Sequence, residues 1–447
     1  MADAHPVKGA PVARRLGIPA AASDGGSARR PSTRAASEWS RGPGAGPEGG
    51  AARLLFMLLW LACRLAPRIT SVLDLPPPAL PEPSPLDSLP DRAAEALAAF
   101  LAAPYAPRTD ISPHAALMAM GCRELVTREA DQNPDTAGRT RTYDAYPAFE
   151  EVSIPGADGV VLQGRHSAGA PGAPVILVVH GLYDSHVSLY VAEYAELLRR
   201  WGFHVFALDM RDHGRLRGRS LPPSMGLHEG ADLYAAARAI GDAEGVSVGI
   251  LGLSYGGQCG VRAAHEATRA GRADVLRGGV LAISAPLDVH EAVLALDDAS
   301  RLPHPRGLMQ RVLVSQLRGA FDRHLQLRIG EHAPVGHPVE DYEGYIREFV
   351  LPRYPADPQL VGSFLSAARS STPEVLGRLA VPVALLHAQD DFLVPVKHLH
   401  LGAAAAAGNP WVAAREVPRG GHIGLSTMDG PGTLGIIAAF FGRLRDG

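Results

Sequence analysis

Three cysteines occur in 447 residues. Cys63, Cys122 and Cys259 are too few and too scattered for a disulfide framework or a thiolate zinc cluster. Cys259 is expected to be a small buried hydrophobe. Charge of one sign is missing as well: 43 Lys and Arg face 46 Asp and Glu, a net charge of −3. From about residue 190 the two signs are interspersed, which argues against a protein built to bind nucleic acid phosphates. The apolar run Leu54 to Cys63 spans ten residues, half of the roughly 20 that a bilayer-crossing helix needs. It also lies too far into the chain for an ordinary signal peptide. Three readings of it stay open. Met57 could be the true start, the run could be an amphipathic anchor with Arg53, Arg64 and Arg68 at lipid headgroups, or it could be a helix packed on the protein body.

What is present fits a globular protein: 46% hydrophobic and 20% charged residues, in a chain long enough for a large core and more than one ordinary domain. Much of the excess of proline falls in the first 90 residues, which hold 14 of the 38. Residues 1–50 show no apolar periodicity and are expected to be disordered. The proline-rich stretch 76–85 reads as an extended linker. Asp91 to Ala103 reads as a helix capped by Asp91 and stopped before Pro104. The expected organisation is therefore a disordered, proline-rich extension over 1–90 and a helical extension over 91–148.

From residue 149 the pattern changes. Phe149 to Ile154 and Val160 to Arg165 flank Gly159 as an antiparallel hairpin. Apolar, β-rich runs follow at 175–179, 203–208, 246–253, 279–283, 381–386 and 412–417. Helical stretches such as 189–201 and 230–240 lie between them. Continuous apolar strands alternating with helices specify a mostly parallel sheet covered on both faces. This core occupies 149–286 and 376–447. The long interruption, 287–375, is expected to be a cap insertion and not a loop.

Gly252-Leu-Ser254-Tyr-Gly256 is the most informative segment. It gives G-x-S-x-G directly after an apolar strand and before a helical stretch, Gln258 to Ala270. A serine on such a sharp strand-to-helix turn has strained dihedrals, and small residues are needed two positions either side because strand and helix pack tightly there. The start of the helix also favours negative charge beside the serine. The competing reading is a structural glycine turn with an inert serine.

A hydrolytic serine needs a base and a group that orients the base, in this strand-turn-helix context in the order Ser, acid, His. The turn after the run at 381–387 carries Asp390 and Asp391, either of which could equally cap the turn. His422 follows Gly420 and Gly421 on a loop after the last run. Of the 18 histidines, it has the required order and context. His180-Gly181-Leu182 follows the first long strand, where a backbone donor is needed. The N–H groups of Leu182 and Tyr255 are expected to face a developing oxyanion. His180 reads as a support for its loop. The segment Asp209 to Arg215 reads as a hydrogen-bonded brace for the site.

With these motifs in order over nearly 300 residues, the region from about 150 to 445 resembles the α/β-hydrolase superfamily. The resemblance implies an eight-stranded, mostly parallel sheet with a Ser254–Asp391–His422 triad and no cofactor. It places the acid three residues before Val394-Pro395, at Asp391. Within the superfamily the chain looks most like YheT-like esterases, on His180 to Ser185, Tyr190-Val191, Phe321-Asp322 and Asp390-Asp391. It departs from that branch at Tyr183-Asp184 and at Asp212-His213-Gly214.

The function expected is hydrolysis of a carboxylic ester through an acyl-enzyme, the substrate being a small-molecule or lipid ester. Acyl transfer to an alcohol, thioesterase or peptidase chemistry would use the same three residues, and a catalytically silent binding module is the reading from a different class. The insertion is expected to supply the substrate pocket from residues such as Leu302, Leu308, Met309, Phe321 and Phe349. The expected location is the cytoplasm, with contact to a membrane surface through residues 53–68 as the alternative.

Overall fold

The computed structural model describes residues 91–105, 148–170, 172–217, 221–298, 339, 341–389, 391, 393–418, 420, 422 and 434–445. The extension before residue 91, Cys63, Cys122, Asp390, Gly421, the Phe321-Asp322 pair and the insertion residues Leu302, Leu308, Met309 and Phe321 lie outside the described residues.

A helix, α1 (Asp91–Ala102), precedes the sheet. Eight strands follow: β1 (Glu150–Pro155), β2 (Val161–Ser167), β3 (Val175–Val179), β4 (His204–Leu208), β5 (Val248–Leu253), β6 (Val280–Ile283), β7 (Val383–Ala388) and β8 (Val412–Val417). They form one sheet in the order β1-β2-β4-β3-β5-β6-β7-β8. β1 and β2 are an antiparallel hairpin, β2 runs antiparallel to β4, and every other pairing is parallel. The crossovers carry α2 (Leu189–Arg200), α3 (Leu227–Glu244), α4 (Tyr255–Arg269), α5 (Val289–Asp297), α6 (Val361–Ala368) and α7 (Lys397–Ala405), and α8 (Leu434–Arg445) closes the chain.

Strand side chains alternate in direction, so each parallel strand feeds two cores. Val175, Leu177 and Val179 pack with α3, α4 and α7 on one face. Ile176 and Val178 pack with α1, α2 and α8 on the other. The first helix is thus part of the body. Leu97 and Phe100 are buried against α8, and the Phe100 carbonyl accepts from Arg415 on β8 at 2.6 Å.

Several boundaries differ from the sequence pattern for local reasons. β7 starts at Val383 because Pro382 has no N–H for the ladder, although its carbonyl still accepts from Val280 at 2.8 Å. α3 is longer than 230–240. Its Glu229 side chain takes the backbone N–H of Gly226 at 3.0 Å and of Ser224 at 2.7 Å, which starts the helix earlier.

Between β6 and β7 the described chain forms a third apolar cluster over the carboxyl edge of the sheet. It includes Val289 and Val293 of α5, Tyr342, Tyr345, Tyr354 and Phe364, packed against Tyr183 and Met225.

Candidate active site

Parallel strands end together at one edge, and their following turns converge there. Strain concentrates at the same edge. Tyr183, Asp212, Ser254 and Ser284, following β3, β4, β5 and β6 respectively, all have φ between 53° and 59°. Such backbone costs on the order of 1–3 kcal/mol per residue and persists only where its surroundings over-determine it.

Ser254 is the sharpest case, with φ 55° and ψ −120° at the start of α4. The flanking glycines have a geometric cause. A Cβ on Gly252 would stand 2.3 Å from the Gly256 carbonyl oxygen, and one on Gly256 would stand 2.5 Å from the carbonyl oxygens of Val179 and His180. Helix and strands therefore approach to a distance that no side chain permits. The Ser254 N–H continues the ladder to the Ile283 carbonyl at 2.8 Å, and its own carbonyl accepts from Gly257 and Gln258. The serine is held from both sides.

His422 and Asp391 reach this serine from 168 and 137 residues further along the chain. His422 Nε2 lies 3.0 Å from Ser254 Oγ, and His422 Nδ1 lies 3.0 Å from Asp391 Oδ2. With an ionised Asp391, Nδ1–H donates to the carboxylate and Nε2 accepts from the serine hydroxyl. Asp391 is 2% exposed and His422 6%. Burial by itself would raise the Asp391 carboxyl, but His422 and His387 beside it hold it well below the usual carboxylate range. The other Asp391 oxygen accepts from the N–H groups of Leu393 at 3.0 Å and Val394 at 2.9 Å.

His387 was not singled out by the sequence pattern. At the end of β7, its Nε2 lies 2.7 Å from the Val394 carbonyl and 3.3 Å from Asp391 Oδ2. It ties the two ends of the turn that carries the acid. Its only sequence signal is a histidine four residues before an aspartate, too common to notice.

Leu182 and Tyr255 line the cavity at Ser254. The Gly181 N–H is taken by the Tyr190 hydroxyl at 2.9 Å, whereas neither Leu182 nor Tyr255 has a backbone N–H partner among the described residues. Gly181 itself lies close to the serine: a Cβ there would be 3.6 Å from Ser254 Cβ.

The neighbouring loop braces this arrangement. His180 Nε2 accepts from the Met210 N–H at 3.1 Å, leaving Nδ1 to donate to the Gly181 carbonyl at 2.7 Å. Burial pushes its pKa down, consistent with a neutral imidazole in both bonds. Asp209, also buried, accepts from the N–H groups of His186 at 2.7 Å and Arg215 at 3.0 Å. Arg211 is fully buried. It grips Asp232 of α3 through Nε and Nη2, at 2.7 and 2.8 Å, and donates to the Tyr354 hydroxyl at 3.0 Å. Burial alone would lower the guanidinium's pKa, and Asp232 reverses this, holding it above its ordinary value.

An apolar cavity opens on Ser254. Among the described residues, the wall contributed between β6 and β7 comes from Pro286, α5 and Tyr342, while Phe349, one of the residues expected there, packs against Tyr345 at a ring separation of 5.7 Å and does not line the cavity. Among the described residues no cluster of His, Cys, Asp and Glu is placed to hold a metal ion, and no helix is long and apolar enough to cross a membrane. Cys259 is buried within α4 as a free thiol.

The model of the alpha/beta hydrolase family matches residues 176–432, more than half of the chain. The chain belongs to the alpha/beta hydrolase family. The match runs from β3 through His422 and so contains every residue of the hydrogen-bonded relay described above. No curated protein matches the chain. Among solved structures it is similar to an esterase of Pyrococcus furiosus, at 17% identity and a TM-score of 0.45, covering 67% of this chain and 93% of the esterase. Dipeptidyl peptidase 4 of Porphyromonas gingivalis is similar at 17% identity and a TM-score of 0.41, over 66% of this chain and 35% of the peptidase. The esterase domain of a Rhodothermus marinus protein is similar at 16% identity and a TM-score of 0.38, over 67% of this chain and all of that domain.

Proposed function

We propose that this hydrolase cleaves carboxylic esters through a covalent acyl-enzyme, with Ser254 as nucleophile, His422 as general base and acid, and Asp391 as the group that orients His422. The observation that carries the reading is the unbroken relay from Ser254 Oγ through His422 to a buried, ionised Asp391, with both separations at 3.0 Å.

The chemistry follows from that order. His422 Nε2 takes the hydroxyl proton as Ser254 Oγ bonds to the ester carbonyl carbon. Asp391 keeps the tautomer and stabilises the imidazolium. The carbonyl oxygen becomes an oxyanion, which the N–H groups of Leu182 and Tyr255 receive. One such donor is typically worth about 2.7–4 kcal/mol in the transition state. The carbon–alkoxy bond then breaks, and His422 returns the proton to the leaving alcohol. In the second half, His422 deprotonates a water that attacks the acyl carbon. The acid departs and Ser254 regains its proton.

Ester cleavage is favoured over amide cleavage by the cavity. Its described lining offers apolar side chains around the serine and no charged group to hold a peptide terminus. The closer likeness to YheT-like esterases is part of this proposal and rests on the sequence motifs alone. Membrane contact through residues 53–68 would bring such an enzyme to lipid esters.

The test is turnover of p-nitrophenyl butyrate by the purified full chain and by Ser254→Ala. The expected outcome is a fall in kcat of about 10⁴-fold or more, with the thermal midpoint preserved. A Ser254→Ala protein that retains wild-type turnover removes the mechanism. Rapid appearance of butyl ester when butanol is added would redirect it to acyl transfer.

A further inference from the structure

One helix forms a wall of the cavity at Ser254. α5 presents Val289, Ala292, Val293 and Leu296 to it, the i, i+3, i+4, i+7 spacing of a single helical face, with Ala295 at the border of that face. The facing walls include Leu182, Met225 and Val394. Among the described lining residues no side chain carries a charge.

This wall is fixed at both ends by carboxylates. At the start of α5, Asp288 accepts from the Glu291 N–H at 3.2 Å and lies 3.1 Å from Arg369 Nε, while its own N–H donates to His398 Nδ1 at 3.2 Å. At the end, Asp297 accepts from the N–H groups of Tyr342 at 2.7 Å and Glu343 at 3.1 Å. The helix is therefore held in place without a substrate, and its apolar face needs little ordering when a chain docks on it.

We propose that this cavity is the acyl site, that it takes the aliphatic acyl chain of an uncharged ester, and that Ala292 sets the chain length accepted. The proposal rests on Ser254 being the nucleophile. The acyl group is the part that stays on the serine between the two half-reactions, while the alcohol must leave through the mouth and water must enter. A fixed apolar wall suits the part that stays. Ala292 and Ala295 have the smallest side chains that α5 gives to the lining; Ala295 is buried, whereas Ala292 is half-buried, so a larger side chain at position 292 grows into the cavity. Val293 is buried and offers no such freedom.

The experiment measures kcat/KM of the full chain for p-nitrophenyl esters from acetate to decanoate, with the mono-p-nitrophenyl ester of succinic acid as a charged comparison. The wild-type protein is expected to gain roughly fourfold per added methylene until the cavity is filled, the equivalent of about 0.8 kcal/mol for each. The succinyl ester should fall at least tenfold below butyrate. Ala292→Phe should lower the ratio of octanoate to acetate at least tenfold. Leu296→Ala should move the optimum to a longer chain, which keeps the test informative if Ala292→Phe does not fold. A profile flat in acyl length overturns the acyl site. If Ser254→Ala abolishes acetate turnover while the profile is flat, the nucleophile stands and this inference alone fails. If Ser254→Ala retains acetate turnover, the underlying mechanism fails first.

Discussion

The Nδ1 atom of His422 lies 3.0 Å from the Oδ2 atom of Asp391, a carboxylate that is fully enclosed and also receives two backbone N–H groups from its own turn. The turn holds the carboxylate, and the carboxylate fixes which ring nitrogen of His422 carries the proton. Asp391→Asn keeps the shape and changes the donor pattern, so the imidazole loses its reason to leave Nε2 free. The expected result is a kcat lower by about 10⁴-fold with an unchanged fold, read from ester turnover beside a circular dichroism melt. Turnover within tenfold of wild type would mean that Asp391 does not orient the base.

The approach of strand and helix at the elbow predicts a contrast between glycines. At Gly252 and Gly256 a Cβ would meet backbone atoms at 2.3 and 2.5 Å, and backbone cannot step aside as a flexible side chain can. Gly252→Ala and Gly256→Ala should each destabilise by about 1–3 kcal/mol or more. Gly442 of α8 has nothing within 4 Å of the same position, so Gly442→Ala should stabilise by roughly 0.5–1 kcal/mol through helix propensity. Urea unfolding midpoints of the three variants decide it. Equal effects at all three positions would contradict the packing argument.

Much of the site could be read from the sequence because its signals are local. Gly252, Ser254 and Gly256 sit within five residues of one another, and the apolar run before them fixes the turn. His422 was legible from its order after the last strand. Asp391 needed the family resemblance, since its neighbour Asp390 offers the same side chain. The rest depends on contacts that no local pattern encodes. The stripe on α5 meets the serine only because the chain between β6 and β7 folds back over the sheet edge. The pairing of Arg211 with Asp232 joins a loop to a helix 21 residues away. His387 meets Asp391 through the return of a turn. Strand and helix ends shifted wherever a single residue intervened, as Pro382 does before β7 and Glu229 does at the start of α3.

The buried pair of Arg211 and Asp232 leads to a stability prediction. Their two short bonds compensate the cost of taking both charges from water. Arg211→Met alone, or Asp232→Leu alone, strands a charge in the interior and should cost about 3–5 kcal/mol. The double variant should cost clearly less than the sum. A double-mutant cycle by chemical denaturation measures this, and strict additivity would show that the pair is not coupled.

Acid sensitivity should trace in part to His398. Burial lowers its pKa to about 3, and its Nδ1 accepts the Asp288 N–H. The folded state therefore binds the proton less readily than the unfolded chain, whose value is near 6.5. Between about pH 6.5 and pH 3 the unfolded state holds more protons, so stability falls as pH falls, by up to about 1.4 kcal/mol per unit for this group. His398→Gln should flatten the slope of unfolding free energy between pH 6 and pH 4. An unchanged slope would remove His398 as a source of the acid lability.

Covalent labelling reaches the central claim most directly. The full chain would be treated with a fluorophosphonate, digested, and the modified residue located by mass spectrometry, beside a Ser254→Ala control. The account predicts one stoichiometric phosphonate adduct on Ser254 with loss of ester turnover in proportion, and no adduct in the control. An adduct elsewhere that abolishes turnover, or full turnover with Ser254 modified, would contradict it.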